Sequence, residues 1–386
     1  MLLNLKSKYI LYLMLSLVLI YFSQGILYPT GTIVSQIAYV LIIIISIFYF
    51  LFYLQQFRRC SFFIKIWIFF LLLNIVYFCI DLNLVYLDSF KMVLLNMLPL
   101  FCFYYFSQRQ LLRRQDLIVF FLILFPLICY KFATARTELQ DFKNDERVVE
   151  NTVYLIVGVL PFIFIIKHRG LSMIFLFVTL LFIVQSGKRA AFLAGVITLI
   201  LFLIYQLNFL KGKNKRFLDV GYILTFLIAL GTWGVSFFMD NDFLIYRLEL
   251  MFSGDSAGRD DLYQEVIRSW YSIDSVTNYL LGGGFSSSQK ITKMGSHNDW
   301  TEVTASFGAL GFLLYFLLFL SMVVVVLKKQ LVSNNLVSFV TLISIGLLVS
   351  LTSRWYWSSF AFTQFLLLPY LLATGEKNNS NQIKLK

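Results

Sequence analysis

The sequence predicts an all-α polytopic membrane protein with about 12 transmembrane helices and a large extracytoplasmic loop between spans 9 and 10. Three observations predict it. The 386-residue chain is 59% hydrophobic, where a soluble domain is about half apolar, and its mean hydropathy is +0.80. Its apolar runs repeatedly reach the roughly 20 residues that a bilayer-spanning helix needs. Basic residues recur in every second gap between those runs, as retention of Lys and Arg on the cytoplasmic side produces. In lipid only a helix or a closed barrel satisfies every backbone polar group internally. The runs are continuous rather than alternating, so helices are expected.

The spans are expected at 9–28, 32–54, 61–80, 90–107, 116–132, 150–167, 171–186, 189–208, 218–239, 300–327, 335–352 and 356–373. The first follows a charged stretch with no small-residue cleavage site, so it is expected to be retained. The chain divides into spans 1–9 (1–239), an outer loop (240–299), spans 10–12 (300–373) and a cytoplasmic tail (374–386). A second long outer loop is expected from Ala133 to Val149. Within the large loop, Leu262, Val266 and Trp270 make one apolar stripe on an amphipathic helix, lying on the membrane's outer surface or over a cavity. The three glycines of LLGGGFSSSQ read as a turn that excludes Cβ atoms.

Charge follows the same topology. Lys6, Arg58, Arg113, Arg114, Lys167, Arg169, Lys211, Lys213, Lys215, Lys328, Lys329, Lys384 and Lys386 are among nineteen basic residues on the expected cytoplasmic side. Asp116, Asp219 and Glu376 are the only acids there, and both termini are expected inside. The net charge of +12 is therefore a record of topology and gives no reason to expect nucleic acid. Cys60, Cys79, Cys102 and Cys129 sit singly, without metal-ligand spacing. The string Asp240–Asp242 resembles a metal-binding D-x-D but lies outside, and no metal or other cofactor is expected. Span interiors carry almost no ionisable groups, unlike ion-coupled transporters.

The informative charges gather on the outer side. His297 stands where a polar run enters span 10. If Ser296 caps that helix by accepting from the N–H of Asp299, His297 falls in the first helical turn, beside exposed N–H groups that favour an anion. The alternative is a solvated loop histidine. Lys188 and Arg189 form an outer hairpin between spans 7 and 8, where cations are disfavoured; the alternative is snorkelling to headgroups. Arg259 opens the loop helix and could instead pair with Asp255, Asp260 or Asp261. Arg247 and Arg268 are weaker candidates on the same loop. Arg354 lies in a short outer hairpin beside Trp355, Tyr356 and Trp357, which read as an interfacial aromatic belt or as platforms for sugar rings. Arginines grip phosphate through two parallel N–H donors, and a histidine can act as a general base. Cations with a base at an outer membrane site suit a lipid-linked pyrophosphate donor and a hydroxyl acceptor.

Three segments in order then resemble the O-antigen polymerase and O-antigen ligase superfamily of bacterial inner-membrane proteins: SGKRAAFLAG, SAGRDDLYQEVIRSW, and LGGGFSSSQ followed by GSHNDWTEVTASFGALGFLLYF. The resemblance implies a GT-C-like, metal-independent, inverting glycosyltransferase with its active site facing the periplasm. It implies that Arg189 and Arg259 grip the donor pyrophosphate, that His297 activates the acceptor hydroxyl, and that Lys188, Arg354, Asn298, Arg247 and Arg268 contribute to substrate binding. The family hairpin often has Ser where this chain has Lys188. The implied activity is polymerisation of undecaprenyl-pyrophosphate-linked oligosaccharides into O-antigen or capsule. The alternatives are a ligase acting on a lipopolysaccharide core, or a polysaccharide-unit flippase. The implied partners are those lipid-linked oligosaccharides, the bilayer, a chain-length regulator and a flippase.

Overall fold

The computed structural model describes residues 2–143, 148–210, 216–239, 242–253, 258–272, 275–328, 331, 333–358 and 361–383. In chain order the helices are α1 (Leu2–Phe22), α2 (Ile33–Gln55), α3 (Phe62–Asp81), α4 (Leu87–Met97), α5 (Pro99–Gln108), α6 (Arg114–Lys143), α7 (Val153–Val159), α8 (Arg169–Gln185) and α9 (Arg189–Leu210). They continue with α10 (Arg216–Met239), α11 (Asp242–Phe252), α12 (Arg259–Tyr271), α13 (Val276–Leu281), α14 (Ser287–Thr292), α15 (Asp299–Leu327), α16 (Ser333–Thr352) and α17 (Phe362–Ile383). The described residues contain no β-strand. Lys211, Lys213, Lys215, Asp240, Asp255, Lys329, Lys384 and Lys386 lie outside the described residues.

Seven helical segments are long and apolar enough to cross a membrane: Ile33–Gln55, Phe62–Asp81, Leu84–Gln108, Arg114–Lys143, Arg189–Leu207, Asp299–Leu327 and Ser333–Thr352. Five shorter apolar helices, Ser7–Phe22, Val153–Ile165, Arg169–Gln185, Leu224–Ser236 and Phe362–Gly375, fall where the remaining spans are expected. The chain is thus all-α and built of membrane-type helices. Their faces are sorted for lipid. In α2, Ser35, Ala38, Ile42, Ser46 and Tyr49 turn inward, while Ile37, Leu41, Ile44 and Phe48 are exposed. Small and polar residues inside, with large aliphatic ones outside, is the pattern of helices that pack within a bilayer.

Local sequence explains where the elements depart from expectation. The fourth expected span is two helices, because Pro99 lacks an N–H and begins α5. The loop expected from Ala133 is a continuation of α6, which runs on to Lys143. Ala133 to Gln140 contains neither Gly nor Pro, so nothing stops the helix. The sixth span tightens after α7 into a 3₁₀ segment, Leu160–Ile165, around Pro161.

The large loop folds back onto the bundle. Val266 of α12 is wholly buried, α12 packs against α14 and α15, and Trp270 stacks on Tyr279 with centroids 4.7 Å apart. Expected on the membrane's outer surface or over a cavity, this amphipathic helix packs Val266 against protein. The glycine turn docks on a break in α15. Gly308 has φ +63, and the carbonyls of Ala305 and Ser306 just before it accept from the N–H groups of Gly283 (2.8 Å) and Gly284 (3.1 Å). A Cβ on Gly282 would lie 2.5 Å from the Gly308 nitrogen, so only glycines allow the two backbones to meet. Lys290 pairs with Asp81 and so ties α14 to the end of α3.

Candidate functional site

The site lies where four segments meet: the α8–α9 turn, the start of α12, the approach to α15 and the α16–α17 hairpin. In the first, Gly187 has φ +63, and the Ser186 hydroxyl accepts from the N–H of Lys188 at 3.2 Å. The Ser186 carbonyl accepts from the N–H of buried Glu150 at 3.1 Å. Helix α11 clasps the same turn from two sides. Arg247 Nε donates to the Gly187 carbonyl at 3.3 Å, and Arg189 Nη1 donates to the Leu250 carbonyl at 3.3 Å.

The approach to α15 corrects the expected cap. Asn298, not Ser296, is the N-cap: its Oδ1 accepts from the N–H groups of Trp300 (2.9 Å) and Thr301 (3.2 Å). Its Nδ2 donates to the Leu351 carbonyl at 3.0 Å, which fastens the start of α15 to the end of α16. His297 therefore precedes the helix instead of sitting in its first turn. It adopts φ +49, a left-handed conformation that turns the chain sharply into the helix, and its side chain stays accessible. Ser296 braces that turn by donating to the Asn298 carbonyl at 2.8 Å.

The hairpin carrying Arg354 is held by a buried carboxylate. Asp299 Oδ2 accepts from the N–H groups of Trp355 (2.7 Å) and Tyr356 (3.3 Å) and from the Tyr315 hydroxyl (2.8 Å). Glu302, one helical turn on, is also buried and accepts from Ser306 at 2.8 Å and from Ser288. These two acids make the frame on which the histidine and Arg354 are mounted. Neither carboxylate was expected to have a role here, although paired acids three residues apart at the head of an apolar span are a signal in themselves. Trp355, Tyr356 and Trp357 are buried at 1%, 2% and 5% exposure, which overturns both the aromatic-belt and the sugar-platform expectations. Their polar atoms find partners inside: Trp355 Nε1 donates to Gln364 (2.7 Å) and Trp357 Nε1 to the Ser89 carbonyl (2.9 Å). Arg354 lies over the Trp357 ring at 4.9 Å and packs against Gly295, where any side chain would displace its guanidinium. Its Nε is buried with no hydrogen-bond partner.

Arg259 enters from α12 and donates to the Thr352 carbonyl at 2.7 Å. Of the acids expected as rivals for it, Asp255 lies outside the described residues. Partial desolvation lowers the pKa of His297 below its ordinary 6.5, and the charges of Arg354, Arg259 and Lys188 lower it further. Burial brings Lys188 down to about 8, with Arg259 and Arg247 adding to the effect and Glu150 opposing it. The Tyr263 phenol is raised by burial against the opposing effect of Arg259. Lys188, Arg259 and Arg354 thus bear on His297, Asn298 follows it in the chain, and Arg247 bears on Lys188. Arg189 and Arg268 are not among the charges that bear on His297 or Lys188. Arg189 serves α11, and Arg268 is exposed in the last turn of α12.

The fold and site define an all-α membrane protein with an accessible histidine, near three cations, at one end of its helical bundle. No protein-family model and no curated protein matches the chain. Chemically, the arrangement offers an accessible proton acceptor beside three or four donors suited to phosphate oxygens.

Proposed function

We propose that the chain crosses the bacterial inner membrane twelve times with both termini in the cytoplasm, in a GT-C-like arrangement. There it polymerises undecaprenyl-pyrophosphate-linked oligosaccharide units into O-antigen or capsule. The observation that supports this most is the convergence of Lys188, Arg259 and Arg354 on His297. In this reading the cations hold the donor's pyrophosphate, the charge that develops as the sugar departs. The Arg354 Nε, which lacks a partner, is one such donor. His297, whose pKa is lowered by partial burial and then by its cationic neighbours, takes the proton of the acceptor hydroxyl. That oxygen attacks the anomeric carbon, the bond to pyrophosphate breaks, and configuration inverts. The bound anion offsets the cations and so makes the protonated imidazole tolerable as the proton arrives. Lys188 takes a place that the resemblance had assigned to Arg189. No metal is required, because guanidinium and ammonium groups supply the positive charge. A flippase that delivers the units and a chain-length regulator are the partners this reading needs.

Deletion of the gene, followed by gel analysis of surface polysaccharide, tests the proposal. A single repeat unit left on the lipid core identifies a polymerase. Polymer stranded on its lipid carrier identifies a ligase instead. Repeat units accumulating unpolymerised on the cytoplasmic side would point to a flippase and overturn the enzyme reading. In complementation, His297→Ala and Arg259→Ala should insert normally yet fail to restore long chains, since removing a general base alone costs about 10²–10⁴-fold in rate. Normal ladders from both variants would sink the proposed roles.

A further inference from the structure

The end of the bundle that carries His297 also carries an apolar ledge that the proposed chemistry does not use. It has two parts. Helix α13 exposes Val276 (76%), Tyr279, Leu280 and Leu281, four of its six residues. The connection from α3 to α4 exposes Leu82, Leu84 and Val85, the last at 81%. Neither part holds a charge, since none occurs from Leu82 to Leu87 or from Ser275 to Gln289. The neighbouring α12 is the opposite, with five charged side chains in its 13 residues. Large apolar side chains left open over stretches without charge mark a contact surface.

Two helices fix the height of the ledge. On α15 every residue from Thr301 to Gly308 is buried, and exposed large apolar side chains run from Leu310 to Leu327. On α3 they run from Phe62 to Ile80. Each run covers about 26 Å at the helical rise per residue, close to the roughly 30 Å of a hydrocarbon layer. The edge of that layer therefore falls near Gly308 on α15 and near Ile80 on α3. The Tyr77 and Phe307 rings meet with centroids 5.2 Å apart, so the two edges stand side by side. Helix α13 is docked at that level. The Tyr77 hydroxyl donates to the Leu281 carbonyl at 2.6 Å, and the glycine turn that follows is bonded to α15 just before Gly308. The 82–86 connection leaves α3 at the same height. Both parts thus continue the exposed apolar faces of α3 and α15 at the edge of the hydrocarbon. Aliphatic side chains with tyrosine, free of charge, suit the boundary between headgroups and acyl chains.

We propose that α13 and the α3–α4 connection are seated in the bilayer, with Leu82, Leu84, Val85, Val276, Tyr279 and Leu280 among the lipids of the leaflet on the His297 side. The inference does not depend on the reaction assigned to the site. Because the glycine turn ties α13 to α15, the leaflet then holds the head of that helix at a fixed height. Spin labels on single cysteines, in an otherwise cysteine-free full chain in phosphatidylcholine nanodiscs, test this. Collisions with oxygen, which concentrates among acyl chains, would be compared with collisions with a water-soluble nickel chelate. Leu313→Cys, on the exposed face of α15, is the lipid reference, and Gln264→Cys, exposed on α12, is the aqueous one. Labels at Val85→Cys and Leu280→Cys should favour oxygen, at a depth of about 5–10 Å into the headgroup–acyl boundary. The label at Gln264→Cys should favour nickel. If either ledge variant does not insert, its exposed neighbour decides, Leu84→Cys for the connection and Val276→Cys for α13. Nickel-dominated collisions at either part would put it in water and overturn the proposal. Low collision rates with both reagents would show that a protein partner or a second copy covers the ledge, and would overturn it as well.

Discussion

At the scale of single residues the site is a problem in crowded positive charge. Lys188 is the clearest case, because its pKa falls to about 8 from 10.5. The sign follows directly. Between those values the unfolded chain keeps a proton that the folded chain has lost, so stability from this group rises as pH climbs through that window. Below about 8 the folded protein carries the charge against its neighbours, which is a strain that a bound anion relieves. Stabilisation of the protein by a pyrophosphate analogue such as methylene diphosphonate should therefore be full near pH 7 and decline as pH passes about 8. In Lys188→Gln the decline should vanish and the affinity near pH 7 should fall about tenfold. A melting-temperature series across pH 6.5 to 9.5 checks both. A wild-type profile flat through pH 8 would show that Lys188 does not face the anion.

At the scale of elements, the kinked helix α15 and the glycine turn form one unit. Gly308 at φ +63 needs both a left-handed backbone and an empty Cβ position, since a methyl there would lie 2.5 Å from the Leu280 carbonyl. Gly308→Ala should lower the melting temperature by several degrees or more, because a strained non-glycine conformation costs about 1–3 kcal/mol before the clash is added. It should also impair the site, because the turn and the Ser288–Glu302 contact lie just beyond it. Unchanged melting in detergent would mean that α15 straightens without loss. Much of this level was legible in the sequence. The positions of the apolar helices, the glycine turn and the loop helix could all be read from pattern. The cap was misplaced by two residues because Ser296 and Asn298 are both good N-caps, and only the left-handed turn at His297 decides between them. The burial of Trp355 to Trp357 was illegible because an aromatic cluster at a helix end looks the same whether it meets lipid or protein. Arg189 could not be told from Lys188, because adjacent residues at a turn point to different sides and the sequence does not say which.

At the scale of the whole molecule, the two cationic ends make opposite demands on topology. In the proposed topology Arg114, Lys167 and Arg169 fall on the cytoplasmic face, where positive charge is expected, whereas Lys188, Arg259 and Arg354 fall on the outer face against that rule. Breaking it carries an insertion penalty for every charge, so the second cluster persists only if the charges are used there. The proposed topology puts the two ends on opposite sides of the membrane, and this can be measured. In a cysteine-free background, one cysteine would be placed at Met294, exposed near His297, and another at Lys167, exposed beside the start of α8. A membrane-impermeant maleimide applied to intact spheroplasts should label Met294→Cys at once and Lys167→Cys only after permeabilisation. Labelling of both from one side would place the two cation clusters in the same compartment. The three expected spans between them, α8, α9 and α10, would then have to include one that does not cross. Reversed labelling would put the histidine in the cytoplasm, among nucleotide-sugar donors, and would remove the lipid-linked pyrophosphate as its substrate.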